Sequence, residues 1–214
     1  MAAKSATIFG ATPAIILAAA LLGTVPAWAA PDAPPMVPQI TGALTYQITG
    51  QTPGKSSTEI IHIAHGTKIR ISGADESLGY SVVSLSPGYS GKGLFTMVWP
   101  RLQQYGSIAL DGHSSFAVLL PSDAVYQKLG PSDQDGKACT LWQFHDAGDS
   151  NPPGKACIDA DGVVLSMDEV DIMNGPQHIR LTARTDGPQP DDLFVWPESY
   201  KVAPNETVSL PSQP

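Results

Sequence analysis

Short runs in which apolar and polar residues alternate dominate the chain from about residue 44 onward. Leu44-Thr-Tyr46-Gln-Ile48, Glu59-Ile-Ile61-His-Ile63 and Lys68-Ile69-Arg70-Ile71 each place apolar side chains at every second position. That period sends successive side chains to opposite faces of an extended backbone, so these segments predict half-buried antiparallel strands. Tyr80–Leu85, Gly93–Trp99, Ser115–Leu120, Val163–Met167 and His178–Ala183 repeat the theme, with Pro, Gly and Ser turns between them. The pattern predicts a mainly β domain over residues 41–202, with little helix.

Two helical segments are expected. Ser122 can cap a run of helix formers that reaches Leu129 and stops at Gly130-Pro131. Asp191-Asp-Leu193-Phe194 suits a single helical turn. Residues 30–40 read as a Pro-rich, extended and mobile leader, and residues 203–214 as a disordered tail.

The chain's two cysteines lie in one stretch, Gly136 to Asp168. Cys139 and Cys157 each follow a Gly-Lys-Ala triplet and each open a run of strand formers. They are too far apart for a Cys-x-x-Cys redox pair and too few for a thiolate zinc site, which leaves a structural disulfide or two free thiols. The N-terminus bears on that choice. Lys4, the small apolar stretch from Pro13 to Val25, and Ala27-Trp28-Ala29 form the three parts of a secretory signal peptide over residues 1–29. Export to an oxidising compartment favours the bridge. No cysteine follows the cleavage site to carry a lipid, so the exported chain is expected to begin near Ala30, periplasmic or secreted and not membrane-anchored.

The formal charge is −8, and removal of residues 1–29 takes away only the positive Lys4. An acidic chain without a cluster of Lys or Arg argues against nucleic acid or an anionic membrane as partner. Catalytic motifs fare no better. Gly112-His113-Ser114-Ser115-Phe116 fails as a nucleophile elbow because Phe116 stands where a small residue is needed. His62 and His65, three apart in a strand, point to opposite faces, and Asp159-Ala-Asp161-Gly162 opens like a calcium loop without the later ligands. Asp168, Glu169 and Asp171 read as a solvated acidic turn. No metal and no cofactor are expected, and the chain is not expected to be an enzyme.

The ordered series Gly-x-x-Cys139-x-x-Trp142, Ala156-Cys157-Ile158, Asp161-Gly162-Val163 and Gly187-Pro188-Gln189-Pro190-x-x-Leu193-Phe194 carries a resemblance. With Thr45-Tyr46, Lys68-Ile69-Arg70 and Tyr80-Ser81-Val82-Val83 before it, the series resembles a secreted bacterial family of unknown function with the architecture of the periplasmic lipoprotein carriers (LolA/LolB-like). The likeness spans roughly residues 43–202. It implies a single curved antiparallel sheet, an incomplete barrel with one or two short helices, whose concave face holds an acyl chain or an apolar partner. Those carriers have helices forming a lid under the sheet, and this chain offers little helix for one.

On such a sheet Phe95, Met97 and Trp99 share one side of their strand, and Trp142 and Phe144 share one side of theirs. They are the candidates to line an apolar groove, with plain core as the competing reading. Arg70 faces away from Ile69 and Ile71. It stands either on a solvated strand face or at the rim, holding the head group of an amphiphile. The function expected from these residues is non-catalytic binding or carriage of lipid, amphiphile or lipoprotein-like cargo. The alternative is an envelope structural or adaptor protein with a self-filled core, and an unrecognised hydrolase is the third reading.

Overall fold

The computed structural model describes residues 33–50, 56–64, 67–86, 92–111, 120, 124–145, 152–171 and 175–204. The expected signal peptide, His65, the Gly112–Phe116 motif, the expected Ser115–Leu120 strand apart from Leu120, and the tail beyond residue 204 lie outside them. The described strands are β1 (Gly42–Gly50), β2 (Ser56–Ala64), β3 (Lys68–Gly73), β4 (Tyr80–Leu85), β5 (Lys92–Trp99) and β6 (Gln104–Asp111). They continue with β7 (Val125–Gln134), β8 (Lys137–His145), β9 (Gly154–Ile158), β10 (Val164–Asp171), β11 (Gly175–Asp186) and β12 (Lys201–Val202).

All twelve join one open, curved sheet in the order β12-β6-β5-β4-β3-β2-β1-β11-β10-β9-β8-β7. Pairing is antiparallel throughout except for β12, which lies parallel to β6. The sheet is therefore mixed, and the helices among the described residues are two 3-10 turns, at Pro100–Leu102 and Asp191–Phe194. No described helix is long and apolar enough to cross a membrane.

Irregularities in the ladder bend it. Thr182 is an extra residue in β11 opposite the Thr45/Tyr46 step, Leu165 in β10 opposite Cys157/Ile158, and Leu129 in β7 opposite Leu141/Trp142. A bulge adds local twist and re-aims the residues beyond it, which suits a sheet that curls without closing. Thr182 Oγ1 donates to the Thr45 carbonyl at 3.0 Å and gives its bulge a hydroxyl pin. At Leu165 the bulge lets consecutive Val164 and Leu165 both be buried.

The helix expected over Ser122–Leu129 is instead the start of β7, and Ser122 itself lies outside the described residues. A two-turn helix is marginal on its own. As a strand the same residues pair with β8 from Val125↔His145 to Gln134↔Lys137, and the Tyr126 and Phe144 rings meet at 6.1 Å. Pro131, read as a helix stop, is tolerated because β7 is an edge strand. Strand β6, which the sequence pattern did not show, pairs with β5 along its whole length.

One face carries the larger core, and we call it the inner face. Leu44, Tyr46, Ile61, Ile63, Ile69, Val83, Phe95, Trp142, Phe144, Met167 and Ile179 form a continuous buried cluster there. Burial of such a side chain stabilises the fold by about 1.5–3 kcal/mol. The leader expected to be mobile packs into the same cluster over residues 33–40. Pro34, Val37, Pro38 and Ile40 are buried, and the Gln39 N–H donates to the Asp161 carbonyl at 2.7 Å.

The outer face of β3–β6 is covered by the segment after β11. Phe194 is buried against Ala64, Tyr80, Val82 and Val98, with Leu193, Trp196 and Tyr200 beside it. The segment ends on the β6 edge, where the Ala203 N–H donates to the Tyr105 carbonyl at 2.7 Å.

Cys139 and Cys157 are bridged between the adjacent strands β8 and β9, with Cα atoms 5.6 Å apart. Closing a loop of this length adds about 3 kcal/mol in the chain-entropy model. The most buried polar anchor is Tyr46, whose hydroxyl donates to the Val164 carbonyl at 3.0 Å and ties β1 to β10. Burial, reinforced by the Asp159 carboxylate and opposed by Arg184, raises its pKa far above the phenol range.

The raised value favours the protonated phenol in the folded state. Its contribution is full below about pH 10, where a free phenol ionises, and is lost as pH rises above that. Tyr46→Phe is expected to cost about 1–3 kcal/mol at neutral pH by orphaning the Val164 carbonyl. The variant should also lose stability less steeply than the parent above pH 10, measured by urea denaturation across a pH series.

Candidate ligand-binding face

Register places the expected groove residues on one face of two distant strands. Phe95 sits opposite Val83 and Ile108, and Met97 opposite Ser81 and Gly106. Trp142 sits opposite Lys128 and Ala156, and Phe144 opposite Tyr126 and Gly154. Gly154 is required under that ring, since a side chain there would run into it. Phe95, Trp142 and Phe144 are buried members of the inner cluster, and Met97 is a half-buried neighbour packed on it. Trp99 lies at the end of β5 beside Gly79, half-buried and outside that cluster.

The inner cluster has a half-open fringe. Ile48, Ile71, Met97, Ile108, Tyr126 and Leu181 pack on the buried residues while retaining part of their surface. Ile48 and Ile71 follow from the alternation that placed Leu44 and Ile69. Ile108 belongs to the unforeseen β6 and Tyr126 to the segment read as helix, so the pattern gave no cue to either. The Ser81 hydroxyl contacts the Met97 sulfur at 3.4 Å, and the Lys128 ammonium stands 5.7 Å from the Trp142 ring centroid.

The fringe also carries two carboxyls. Glu59 lies opposite Tyr46 in β2, and Glu169 lies two positions beyond Met167 in β10. Burial first, and then the charge of Glu169, raises the Glu59 pKa. Gln177 Nε2 donates to Glu169 at 2.6 Å. Asp168, on the opposite side of β10 from Glu169, pairs with His178 at 2.7 Å. These acids therefore sit within a strand, not in the turn expected of them. A shallow groove of about 390 Å³ beside them is lined by Thr49, Glu169, Pro176 and Gln177 among others.

Arg70 is on the other face. It aligns with Val82 and His62, and its side chain is 8% exposed under the C-terminal segment. Nη2 donates to Glu76 at 2.8 Å, Nη1 to the Leu193 carbonyl at 3.0 Å, and the guanidinium lies 3.6 Å over the Tyr80 ring. The Tyr80 hydroxyl contacts the Val195 carbonyl at 3.4 Å, and burial raises its pKa against the opposing charge of Arg70. The solvated face read from the sequence gives way to a buried one, in which the guanidinium is engaged by structural contacts. Alternation fixed the face of Arg70 but said nothing of what covers it. His62 serves the same end through Nδ1, 2.8 Å from Gln189 Oε1.

Arg184 fills the acidic turn that opens like a calcium loop. Its guanidinium meets Asp159 at 3.1 Å, Asp161 at 2.7 Å and Asp186 at 2.8 Å. Asp159 also accepts the backbone N–H groups of Asp161 and Val163 at 2.9 Å, closing the turn. The Asp186 bond foremost raises the Arg184 pKa.

No protein-family model matches the sequence, and no curated protein matches it. Solved structures to which this chain is similar include MucB, at 12% identity and a TM-score of 0.46 over 76% of this chain and 60% of that one. A DUF1329 family protein from Desulfovibrio piger matches at 13% identity and 0.40, over 72% and 88% of the two chains. A LolA superfamily protein from Nitrosomonas europaea matches at 7% identity and 0.33, over 74% and 91%. The chain spans about three fifths of the MucB chain.

Arg70→Met is expected to cost about 1–3 kcal/mol, since Glu76 is half-exposed and regains water while the Leu193 carbonyl loses its donor. Trp196 emission should shift to the red as the C-terminal segment loosens. A lower melting temperature together with that shift checks the assignment.

Proposed function

We propose that this chain is a non-catalytic binding or carrier protein for an apolar or amphiphilic ligand, acting in the periplasm or outside the cell after loss of residues 1–29. One observation carries the reading. The inner core is bordered by apolar residues that are only half-buried, Ile48, Ile71, Met97, Ile108 and Tyr126. Apolar surface kept partly open beside a filled core is what a lipid tail or an apolar peptide segment would complete. Phe95, Met97, Trp142 and Phe144 supply the apolar contact in this reading, with Trp99 at its margin. Glu59 and Glu169 at the same fringe favour a ligand without net negative charge, because a second anion would meet two carboxyls in partly desolvated surroundings.

A second reading, an envelope adaptor that acts through its surface, is favoured by a different observation. Val37 and Ile40 fill part of the inner face themselves.

The two are separated by tryptophan fluorescence of the exported chain, in which Trp99, Trp142 and Trp196 remain. Lysophosphatidylcholine is expected to shift the emission saturably below its own aggregation threshold, and Trp142→Phe to remove much of that shift with the fold intact. An emission indifferent to amphiphile leaves the adaptor reading.

A further inference from the structure

Residues 33–40 cross the inner face without joining the sheet. Three of the eight, Pro34, Pro35 and Pro38, have no N–H to offer a ladder. Among the described residues a single backbone hydrogen bond ties this arm to the rest of the chain, from Gln39 N–H to the Asp161 carbonyl. The side-chain bond of Gln39, to the Val37 carbonyl at 2.9 Å, stays within the arm. What seats the arm is apolar contact. Val37 and Ile40 are buried in the cluster that holds Phe95, Trp142 and Phe144, and Met36 belongs to the same half-buried fringe as Met97 and Ile71.

The seat is a built one. Gly162, at φ +79°, turns the chain beneath the arm, and a side chain there would meet Pro35 at 2.8 Å and the Val37 carbonyl at 3.3 Å. Asp159 and Arg184 hold the turn from Asp159 to Val163 in the shape that aims the Asp161 carbonyl at Gln39. An element held by shape and apolar burial, with almost no backbone hydrogen bonding, can be replaced by another apolar body that leaves no polar group behind except one N–H and one carbonyl.

From this we infer that residues 33–40 are an internal plug: the arm occupies, in the empty protein, part of the apolar surface that ligand occupies in the loaded one. The inference rests on the binding reading above and adds a regulatory step to it. Ligand and arm compete for one surface, so the apparent affinity of the intact protein is its intrinsic affinity reduced by the fraction of molecules with the arm unseated. Loosening the arm must tighten binding.

Two substitutions loosen it by different routes. Gln39→Pro removes the N–H that reaches Asp161, and Val37→Asp places a charge in the core side of the seat. The ligand probe is 1-N-phenylnaphthylamine, an uncharged apolar fluorophore, titrated into the exported chain and both variants. Hydrogen–deuterium exchange of the peptide containing residues 36–40 reports the arm directly, and circular dichroism reports the sheet. The expected result is saturable binding by the parent, at least fivefold tighter binding by Gln39→Pro, and faster exchange of residues 36–40 in the parent when probe is saturating.

Probe binding that leaves exchange of the arm unchanged, with equal affinity in parent and Gln39→Pro, overturns the plug and leaves the binding reading standing. Absence of binding in all three proteins, with exchange showing the arm free in the variants, sinks both. If Val37→Asp fails to fold, Gln39→Pro and the exchange measurement on the parent decide the matter alone.

Discussion

A wide open sheet has two faces to bury, and this one has almost no helix with which to bury them. That constraint organises the molecule. β3, β4 and β5 present apolar side chains on both sides, with Ile69, Val83 and Phe95 inward and Tyr80, Val82 and Val98 outward. A sheet in a helical protein would be sandwiched. Here the chain's two flanks do the covering, residues 33–40 on the inner face and the segment around Phe194 on the outer one.

The two covers are held by different physics. The outer one is fastened by polar ties: the Arg70 guanidinium to the Leu193 carbonyl, Tyr80 to the Val195 carbonyl, His62 to Gln189, and the short β12 ladder on β6. Each such bond fixes direction, and Arg70 keeps its charge buried only because Glu76, Leu193 and Tyr80 surround it. The inner cover is held by burial, which is non-directional and interchangeable between one apolar body and another. The outer segment is therefore structural, and in the proposed reading the inner surface is where exchange with a ligand takes place. The disulfide and the Tyr46 bond to Val164 brace the strands that form the inner floor.

Much of this was legible in the sequence, and the limits are physical. Period-two alternation identified β1 to β5 and β11, and the matched lead-ins of Cys139 and Cys157 identified the bridged hairpin. Of the five residues expected to line the groove, Phe95, Met97, Trp142 and Phe144 belong to the inner cluster or its fringe, whereas Trp99 lies outside it. Alternation failed where local signals conflict with long-range pairing. Ser122 to Leu129 has the composition of a helix, and only the partnership of Tyr126 with Phe144 makes residues 125–134 a strand. Gln104–Asp111 carries a glycine and polar residues that blur its period. Prolines marked residues 30–40 as free chain, whereas residues 33–40, three of them prolines with no N–H to pair, lie against an apolar surface. Arg70 had its face assigned by parity, but the segment that buries it arrives from more than a hundred residues away.

The central claim is that the inner face continues from a filled core to a surface that accepts an apolar ligand. Methyl resonances read this directly. Met97 and Ile71 lie on the half-buried fringe, whereas Val82 and Val98 are buried on the outer face. In a sample with labelled Met, Ile and Val methyl groups, lysophosphatidylcholine below its aggregation concentration is predicted to shift Met97, Ile48 and Ile71 saturably and with one common affinity, leaving Val82 and Val98 in place. Saturable shifts confined to the outer face, or none at all, would contradict the account.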